Sequence, residues 1–239
     1  MTEVTTSRAL LIEFCGVAAS GKSTLVRRFC DTIPGARRAE FLNTRTISHL
    51  PYLASALPAI APILVRDVHR PRLSWPDVKL LAYASRWDRY LRRASTGATD
   101  VMALDQGPLY TLVRLRAQGR RVVDTPTFQR WWEGTLRRWA SELAIVVYLD
   151  ADDDLLRERI DGRAQPHTAK GASSDVAATF FERYRSLFAE LIERLDRSGR
   201  PDVVRFDTGA HSVETIVDAL APLVEARREA YLAALGGRS

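Results

Sequence analysis

The sequence has 239 residues, 46% hydrophobic and 27% charged, which is enough to bury one good-sized core and excludes a disordered chain. Its formal net charge is +6, and nearly all of the positive charge is arginine. Arginine suits the bidentate capture of phosphate, although an arginine-favouring genome would produce the same composition. No stretch combines basic and aromatic residues as a nucleic-acid groove does, so we expect no nucleic-acid partner.

The two cysteines, Cys15 and Cys30, do not make a disulfide framework and favour the reducing cytoplasm. We expect residues 1–8 to form a flexible arm before one domain at residues 9–235.

Residues 50–65 are apolar but contain three prolines, which makes the segment too short and too interrupted for a membrane span. The segment predicts short helices packed under a loop, with a surface facing lipid or an apolar substrate as the alternative.

In chain order, strands alternate with helices. Apolar runs typical of buried parallel strands lie at residues 9–15, 100–105 and 143–150. Residues 36–42 are a candidate short second strand, and residues 202–208 are the fifth strand. Helical spacing occurs at residues 22–33, 75–95, 127–141, 152–163, 175–197 and 212–235. This alternation predicts an α/β three-layer sandwich, with a five-stranded parallel sheet and helices on both faces.

A phosphate-binding loop follows the first predicted strand. The residues Gly16, Val17, Ala18, Ala19, Ser20, Gly21, Lys22 and Ser23 fit the pattern G-x-x-x-x-G-K-[ST], and Thr24 continues into the helix. Backbone N–H groups of such a loop converge on phosphates, and the helix N-terminus adds positive potential. We expect Lys22 to reach the β- and γ-phosphates from an exposed loop, and Ser23 to offer its hydroxyl to Mg²⁺. The alternative is a small-residue turn with an incidental lysine.

Beyond this loop, the chain resembles the thymidylate-kinase-like P-loop nucleoside and nucleotide kinases over nearly its whole length. The resemblance rests on "FCGVAASGKSTLVRRF", "LLAYASRWDRYL", "DVMALDQGPLY", "VVYLDADDDLLRERIDGR" and "FFERYRSLF" with "VVRFDTGAHSVETIV". It implies ATP and Mg²⁺ as cofactors and an arginine-bearing lid at about residues 157–175. Residues at about 41–78 correspond to the acceptor-site segment of the family and form an insertion there, because the segment is long for the family. The phosphate loop is specific, whereas the other motifs count through their order and spacing.

The resemblance also implies residues that bind the acceptor substrate. Arg86 corresponds to the arginine that holds the acceptor in those kinases, and Glu40 and Arg45 face the acceptor, unless they are a solvated loop pair. Gln106 stands where the family has the arginine of Asp-Arg-Tyr, which helps to bind an anionic acceptor. This departure and the long insertion indicate a different acceptor.

Three further residues carry predicted catalytic roles. Asp105 ends a strand at the ligand-binding edge of the sheet, where it could hold Mg²⁺, act as a base towards an acceptor hydroxyl, or cap a turn. Arg159 and Arg163 occupy the lid-arginine positions of the family and would stabilise charge on the transferred phosphoryl group, unless they only make a helix end basic.

Two acidic features near the lid allow more than one role. Asp150 could assist Mg²⁺ indirectly, whereas the run Asp152 to Asp154 favours helix N-capping.

The combined pattern predicts an ATP-dependent kinase that acts on a small-molecule acceptor. A nucleoside monophosphate is the first choice, and a hydroxyl acceptor such as a nucleoside or a sugar is the alternative. A regulatory NTPase would need a guanine-reading Asn-Lys-x-Asp motif, which the sequence lacks, and a non-catalytic nucleotide-binding protein would leave the lid arginines without a purpose.

Relatives pair through helices near the acceptor site, so we expect a homodimer through the apolar face of the helix that carries Leu80, Leu81, Ala84 and Leu91.

Overall fold

The computed structural model describes residues 9–39, 49–66, 73–94, 101–118, 121–164 and 169–236. Its centre is a parallel five-stranded sheet in the order β2-β3-β1-β4-β5. The strands are β1 (Leu10–Gly16), β2 (Ala36–Arg38), β3 (Val101–Asp105), β4 (Leu143–Asp150) and β5 (Asp202–Asp207). The predicted sheet is therefore confirmed, with a shorter second strand than expected.

Eight helices surround the sheet within the described residues. They are α1 (Lys22–Thr32), α2 (Leu50–Arg66), α3 (Trp75–Ala94), α4 (Pro108–Ala117), α5 (Pro126–Glu142), α6 (Asp153–Asp161), α7 (Ser174–Ser198) and α8 (Val213–Gly236). Helix α4 was not predicted from the sequence. Two residues separate β3 from its first residue, a proline, and its buried residues surround much of the helix, so it lacks the one-sided apolar pattern by which helices are recognised.

The hydrophobic core lies on both faces of the sheet, as the alternation of strands and helices predicts. On one face, Phe14 of β1 and Phe29 of α1 pack with Ile216 and Leu220 of α8. On the other face, a larger cluster joins side chains of α3, α4, α5 and α7. Side chains of a strand alternate between the two faces of the sheet, so β1, the central strand, contributes to both clusters.

The proline-containing segment is one continuous helix, α2, rather than the predicted short helices. Pro58 and Pro62 lie one turn apart on its exposed side, while Ile60 and Ile63 are buried. Each proline removes a backbone hydrogen bond and leaves a carbonyl without its helical donor. Because the prolines face solvent, water can reach those carbonyls, which explains why the helix continues.

The helix face that we expected to form a dimer is covered by the chain itself. Leu80, Leu81, Ala84 and Leu91 of α3 are all buried in the core of the protomer. The structure thus contradicts this choice of surface, and a homodimer stays a prediction without a defined interface. Among the described residues, no helix has both the length and the apolar character needed to cross a bilayer.

Candidate active site

The phosphate loop lies between β1 and α1, at the carboxyl edge of the sheet. Gly16 has φ of +137°, and a Cβ there would lie 1.9 Å from the Leu149 carbonyl oxygen of β4. Gly21 has φ of +81° with open space where a Cβ would lie, so it is the dihedral angle rather than crowding that favours glycine. Ala19 adopts φ of +66°, which is strained for a residue with a Cβ.

Lys22 is buried rather than exposed, which corrects the expectation from the sequence. Its side chain folds back over the loop, with Nζ donating to the carbonyl oxygens of Gly16 (3.1 Å) and Val17 (2.5 Å) and to Ser20 Oγ (3.2 Å). The residue is 4% exposed, and burial lowers the pKa of the ammonium to about 8. The loop therefore holds its cation next to the N-terminus of α1 through its own oxygen atoms.

Asp105 ends β3 beside β1 and forms an ion pair that the sequence did not predict. Arg38 at the end of β2 donates to Asp105 Oδ2 at 2.8 Å. The Asp105 side chain is 4% exposed, and its buried Oδ1 has no hydrogen-bond partner among the described residues. Gln106 follows with φ of +60°, a left-handed conformation that turns the chain into α4.

These residues fit the Mg²⁺ that the resemblance implies. Ser23 lies exposed in the first turn of α1, and Asp105 keeps one carboxylate oxygen without a partner in the described part of the chain. Mg²⁺ is commonly held by one or two protein oxygens together with substrate phosphates and water. No cluster of three or more His, Cys, Asp or Glu side chains among the described residues could hold a metal by itself, so a nucleotide would have to complete the site.

Glu13 is a functional candidate that the sequence analysis missed. It lies in the middle of β1, is fully buried, and accepts backbone hydrogen bonds from Leu109 (3.0 Å) and Tyr110 (2.8 Å) in the first turn of α4. A Cβ at Gly107 would come within 2.7 Å of its carboxyl carbon. Burial raises the pKa of Glu13 to about 8, while the two N–H donors act in the opposite direction. Glu13 thereby ties the strand that leads into the phosphate loop to the turn that carries Asp105 and Gln106.

A cavity of about 860 Å³ opens between the phosphate loop and two helices. One wall is the loop with the start of α1, and the other comes from α4, α7 and the lid segment. The lining residues are Ala18, Ala19, Gly21, Lys22, Ser23, Gln106, Tyr110, Arg114, Ala117, Gln118, Arg163, Phe180, Arg183 and Tyr184. None of these residues is acidic, and four of them are cationic, so the cavity is suited to anions.

The two predicted lid arginines occupy different places. Arg163 is exposed and lines the cavity, where its charge acts on Lys22. Arg159 instead joins the phosphate loop to the β5–α8 loop, donating to the Ala19 carbonyl oxygen (3.5 Å) and to Thr208 Oγ1 (2.8 Å) and carbonyl oxygen (3.0 Å). Arg163 therefore lies in the cavity beside the phosphate loop, and Arg159 lies at the junction of two loops.

The two predicted acceptor residues that the structure describes, Gln106 and Arg86, do not line the same cavity. Gln106 lines the cavity, whereas Arg86 on α3 does not, and its charge acts on Arg138 of α5. The Arg86 Nε atom is buried without a hydrogen bond to a described residue. Glu40 and Arg45 lie outside the described residues, so their predicted roles stay predictions.

The acidic residues after β4 form a structural network. Asp150 accepts from Arg185 Nε at 2.8 Å, and Asp153 accepts from the Nη1 atom of the same guanidinium at 2.6 Å. Asp152 is the N-cap residue of α6, but its side chain makes no capping hydrogen bond. Asp150 is thus engaged by an arginine of α7.

The comparison with protein families decides where the chain belongs. A family model described as AAA domain (AAA_33) matches residues 11–191, about three quarters of the sequence. The chain belongs to this AAA domain family. No curated protein matches the sequence significantly.

Solved structures show the same fold for this AAA domain protein. It is similar to a thymidylate kinase from Candida albicans, with a TM-score of 0.57, 16% identity, and 92% and 93% of the two chains covered. It is also similar to a deoxyadenosine kinase from M. mycoides with bound dATP, with a TM-score of 0.51, 14% identity, and 88% and 99% covered. The thymidylate-kinase-like P-loop fold that the sequence predicted is therefore confirmed.

Proposed function

We propose that the protein is an ATP-dependent kinase that transfers the γ-phosphoryl group to a nucleoside monophosphate. The observation that carries this proposal is the cavity between the phosphate loop and the α4–α7 wall, which is cationic on both sides and has no acidic lining residue. A kinase for a phosphorylated acceptor must hold two anionic ligands close together, and cationic side chains, together with Mg²⁺, offset their repulsion.

Four side chains in or beside the cavity would each have a part in this reaction. The loop amides and Lys22 would hold the β- and γ-phosphates, while Ser23 and Asp105 would hold Mg²⁺, which neutralises charge on the nucleotide phosphates. Arg163 would stabilise the charge that develops on the transferred group. Catalysis in such a site is mostly positioning and electrostatic stabilisation, since phosphoryl transfer requires little covalent chemistry from the protein.

The structural neighbours are consistent with either of two acceptor classes. The thymidylate kinase acts on a monophosphate by its name, whereas the deoxyadenosine kinase is named for a nucleoside. A structure of that kinase, 14% identical to this chain with a TM-score of 0.52, contains the product dCMP and a flexible dCDP. At such identity the neighbours support the nucleotide-kinase class, and the choice of acceptor rests on the cationic cavity.

The direct test is a screen of ATP consumption against nucleoside monophosphates, nucleosides and sugars, with Mg²⁺ present. We expect at least one nucleoside monophosphate to stimulate ADP formation well above the rate without acceptor. Equal ADP formation with and without every acceptor would favour a regulatory NTPase, and nucleotide binding without any turnover would contradict a kinase.

A hydroxyl acceptor is the second candidate, and Asp105 favours it. Its Oδ1 atom is buried and without a partner among the described residues, as a base awaiting a hydroxyl proton would be. For such an acceptor, Asp105→Asn keeps the shape and removes the base, so kcat should fall by roughly 10²–10⁴-fold while ATP binding changes little. A loss that excess Mg²⁺ restores would assign Asp105 to the metal, and full activity would mean that Asp105 only shapes the turn.

A further inference from the structure

Two arginines of the cavity come from helices rather than from the loop or the lid. Arg114 lies on α4, one turn after Tyr110, and Arg183 lies on α7 next to Tyr184. Neither arginine forms an ion pair with a described residue; Arg183 only donates to the Arg116 carbonyl oxygen at 3.4 Å. Two guanidinium groups on one wall therefore lack a counter-charge within the described structure.

Arginines that point elsewhere from the same two helices are neutralised by acids. Arg116 of α4 donates to Glu190 at 2.8 Å, and Arg194 of α7 donates to Glu190 at 3.0 Å. Whether an arginine of these helices is paired thus depends on whether it lines the cavity. Arg116 and Arg194 do not line the cavity and each pairs with a carboxylate, whereas Arg114 and Arg183 line it and do not. Arg114 is half-buried and Arg183 is exposed, so a bound anion would offer both guanidinium groups the counter-charge that no described carboxylate supplies.

A second groove in the protein gives an internal comparison. It has a similar volume, about 870 Å³, and is also lined by two arginines, Arg185 and Arg205. Arg185 is paired there with Asp150 and Asp153, and Arg205 is paired with Asp196. That groove has satisfied its cations internally, so cavity size and arginine content alone do not mark an anion site.

The unpaired arginines lie beside aromatic rings. The Tyr110 and Tyr184 ring centroids are 6.5 Å apart, and those of Phe180 and Tyr184 are 4.8 Å apart. Burial raises the pKa of both phenols, and the charge of Arg114 acts in the opposite direction on each. Both phenols therefore stay neutral at physiological pH, so they do not replace the missing carboxylate.

We propose that Arg114 and Arg183 bind the phosphate of the acceptor substrate. This inference rests on the proposed kinase function and narrows it to a phosphorylated acceptor. It also accounts for Gln106, because the positive charge that is absent directly after Asp105 is supplied by α4 and α7 from across the cavity. Guanidinium forks match phosphate oxygens in bidentate geometry, which a single lysine cannot do.

The first test measures phosphate binding without any turnover. The protein is saturated with Mg²⁺ and a non-hydrolysable ATP analogue, and inorganic phosphate is titrated by calorimetry. Arg114→Gln and Arg183→Gln should each weaken phosphate binding about tenfold or more, since hydrogen bonds to charged groups contribute about 1.5–3 kcal/mol. Arg137→Gln is the matched control, because Arg137 is exposed on α5 and does not line the cavity.

The second test uses the acceptor found by screening. The two variants should raise KM for the phosphorylated acceptor about tenfold or more, with ATP affinity nearly unchanged. Phosphate affinity that is unchanged in the double variant, or lowered equally by Arg137→Gln, would overturn the subsite. Failure to find any acceptor would contradict the kinase proposal instead, while the calorimetric result would still decide the subsite.

Discussion

The two walls of the cavity hold their cations in opposite ways. On the loop wall, Lys22 is buried and makes three hydrogen bonds to oxygens of its own loop. On the helix wall, Arg114 and Arg183 have no ion-pair partner among the described residues. On the loop wall the cation therefore has its hydrogen bonds satisfied by its own loop, whereas on the helix wall no described carboxylate pairs with the arginines.

This difference separates a general part of the site from a specific one. A loop that stabilises its own cation can keep one geometry whatever acceptor is bound, which suits the nucleoside triphosphate of the proposed reaction. The proposed role of the helix wall is to select the acceptor, because a phosphate would supply the counter-charge that no described carboxylate gives its arginines. Changes on the loop wall should thus abolish transfer altogether, and changes on the helix wall should alter acceptor choice.

The largest expected effect comes from the loop wall. Lys22→Ala should reduce the rate of phosphoryl transfer by about 10³-fold or more. One hydrogen-bond donor that stabilises charge in a transition state contributes about 10²–10³-fold to the rate, and Lys22 would also bind the phosphates before the reaction. The measurement is kcat/KM for ATP with a saturating acceptor. Lys79→Ala on α3 is the matched control and should retain normal activity, since Lys79 does not line the cavity.

The stability of the Lys22→Ala variant separates a catalytic loss from misfolding. Burial lowers the pKa of Lys22 from 10.5 to about 8, so below pH 8 the charged side chain opposes folding, and this penalty is relieved as pH rises towards 10.5. Removing the charge should leave Tm unchanged or higher at pH 7. Unchanged turnover would refute the kinase proposal, and a large fall in Tm would refute this account of Lys22.

The second effect concerns the connection between the two walls. Glu13→Ala leaves the N–H groups of Leu109 and Tyr110 without their buried acceptor, so the free energy of unfolding should fall by about 2–4 kcal/mol. Urea unfolding at pH 4.5, where Glu13 in the folded state is protonated, measures this change. Glu229→Ala, an exposed glutamate on α8, is the control and should change stability by less than about 0.5 kcal/mol.

The pH dependence of this stability carries a definite sign. Since burial raises the pKa of Glu13 from 4.5 to about 8, the folded state binds its proton more tightly than the unfolded state does. The contribution of Glu13 to the free energy of unfolding is therefore full below pH 4.5. It is lost as pH rises to about 8, by up to about 1.4 kcal/mol per pH unit. The difference between wild type and Glu13→Gln should show this slope. A constant difference from pH 5 to pH 8 would contradict it.

Local patterns were enough to predict the sheet and the loop wall. Strands β1, β3 and β4 are apolar runs bounded by polar residues. The phosphate loop is a motif of eight consecutive residues, and its pattern alone predicts phosphate binding. The helix wall could not be predicted in this way. Arg114 and Arg183 meet only because α4 and α7 pack on one face of the sheet, and α4 lacks the polar face that marks most helices.

Individual side chains show the same limit. Glu13 interrupts an apolar strand, a signal that could have been noticed, but its partners on α4 lie almost a hundred residues further along the chain. Arg38 and Asp105 meet because β2 and β3 are neighbours, and strand order is not contained in any local pattern. Lys22 was placed on an exposed loop because a glycine-rich motif does not show which oxygens its lysine contacts.

The smallest expected effect is the most specific test of the loop wall. Only the protonated form of Lys22 attracts phosphates, and its pKa in the free protein is about 8. The Kd for Mg²⁺·ATP should therefore rise about tenfold between pH 7 and pH 9, since each pH unit above the pKa removes about 1.4 kcal/mol of binding free energy. Lys22→Ala should bind more weakly and without this dependence. Glu13 titrates over the same range, so the series is repeated in Glu13→Gln, where the dependence should persist. A Kd that rises equally in Lys22→Ala, or that no longer changes in Glu13→Gln, would assign the pH dependence to a group other than Lys22.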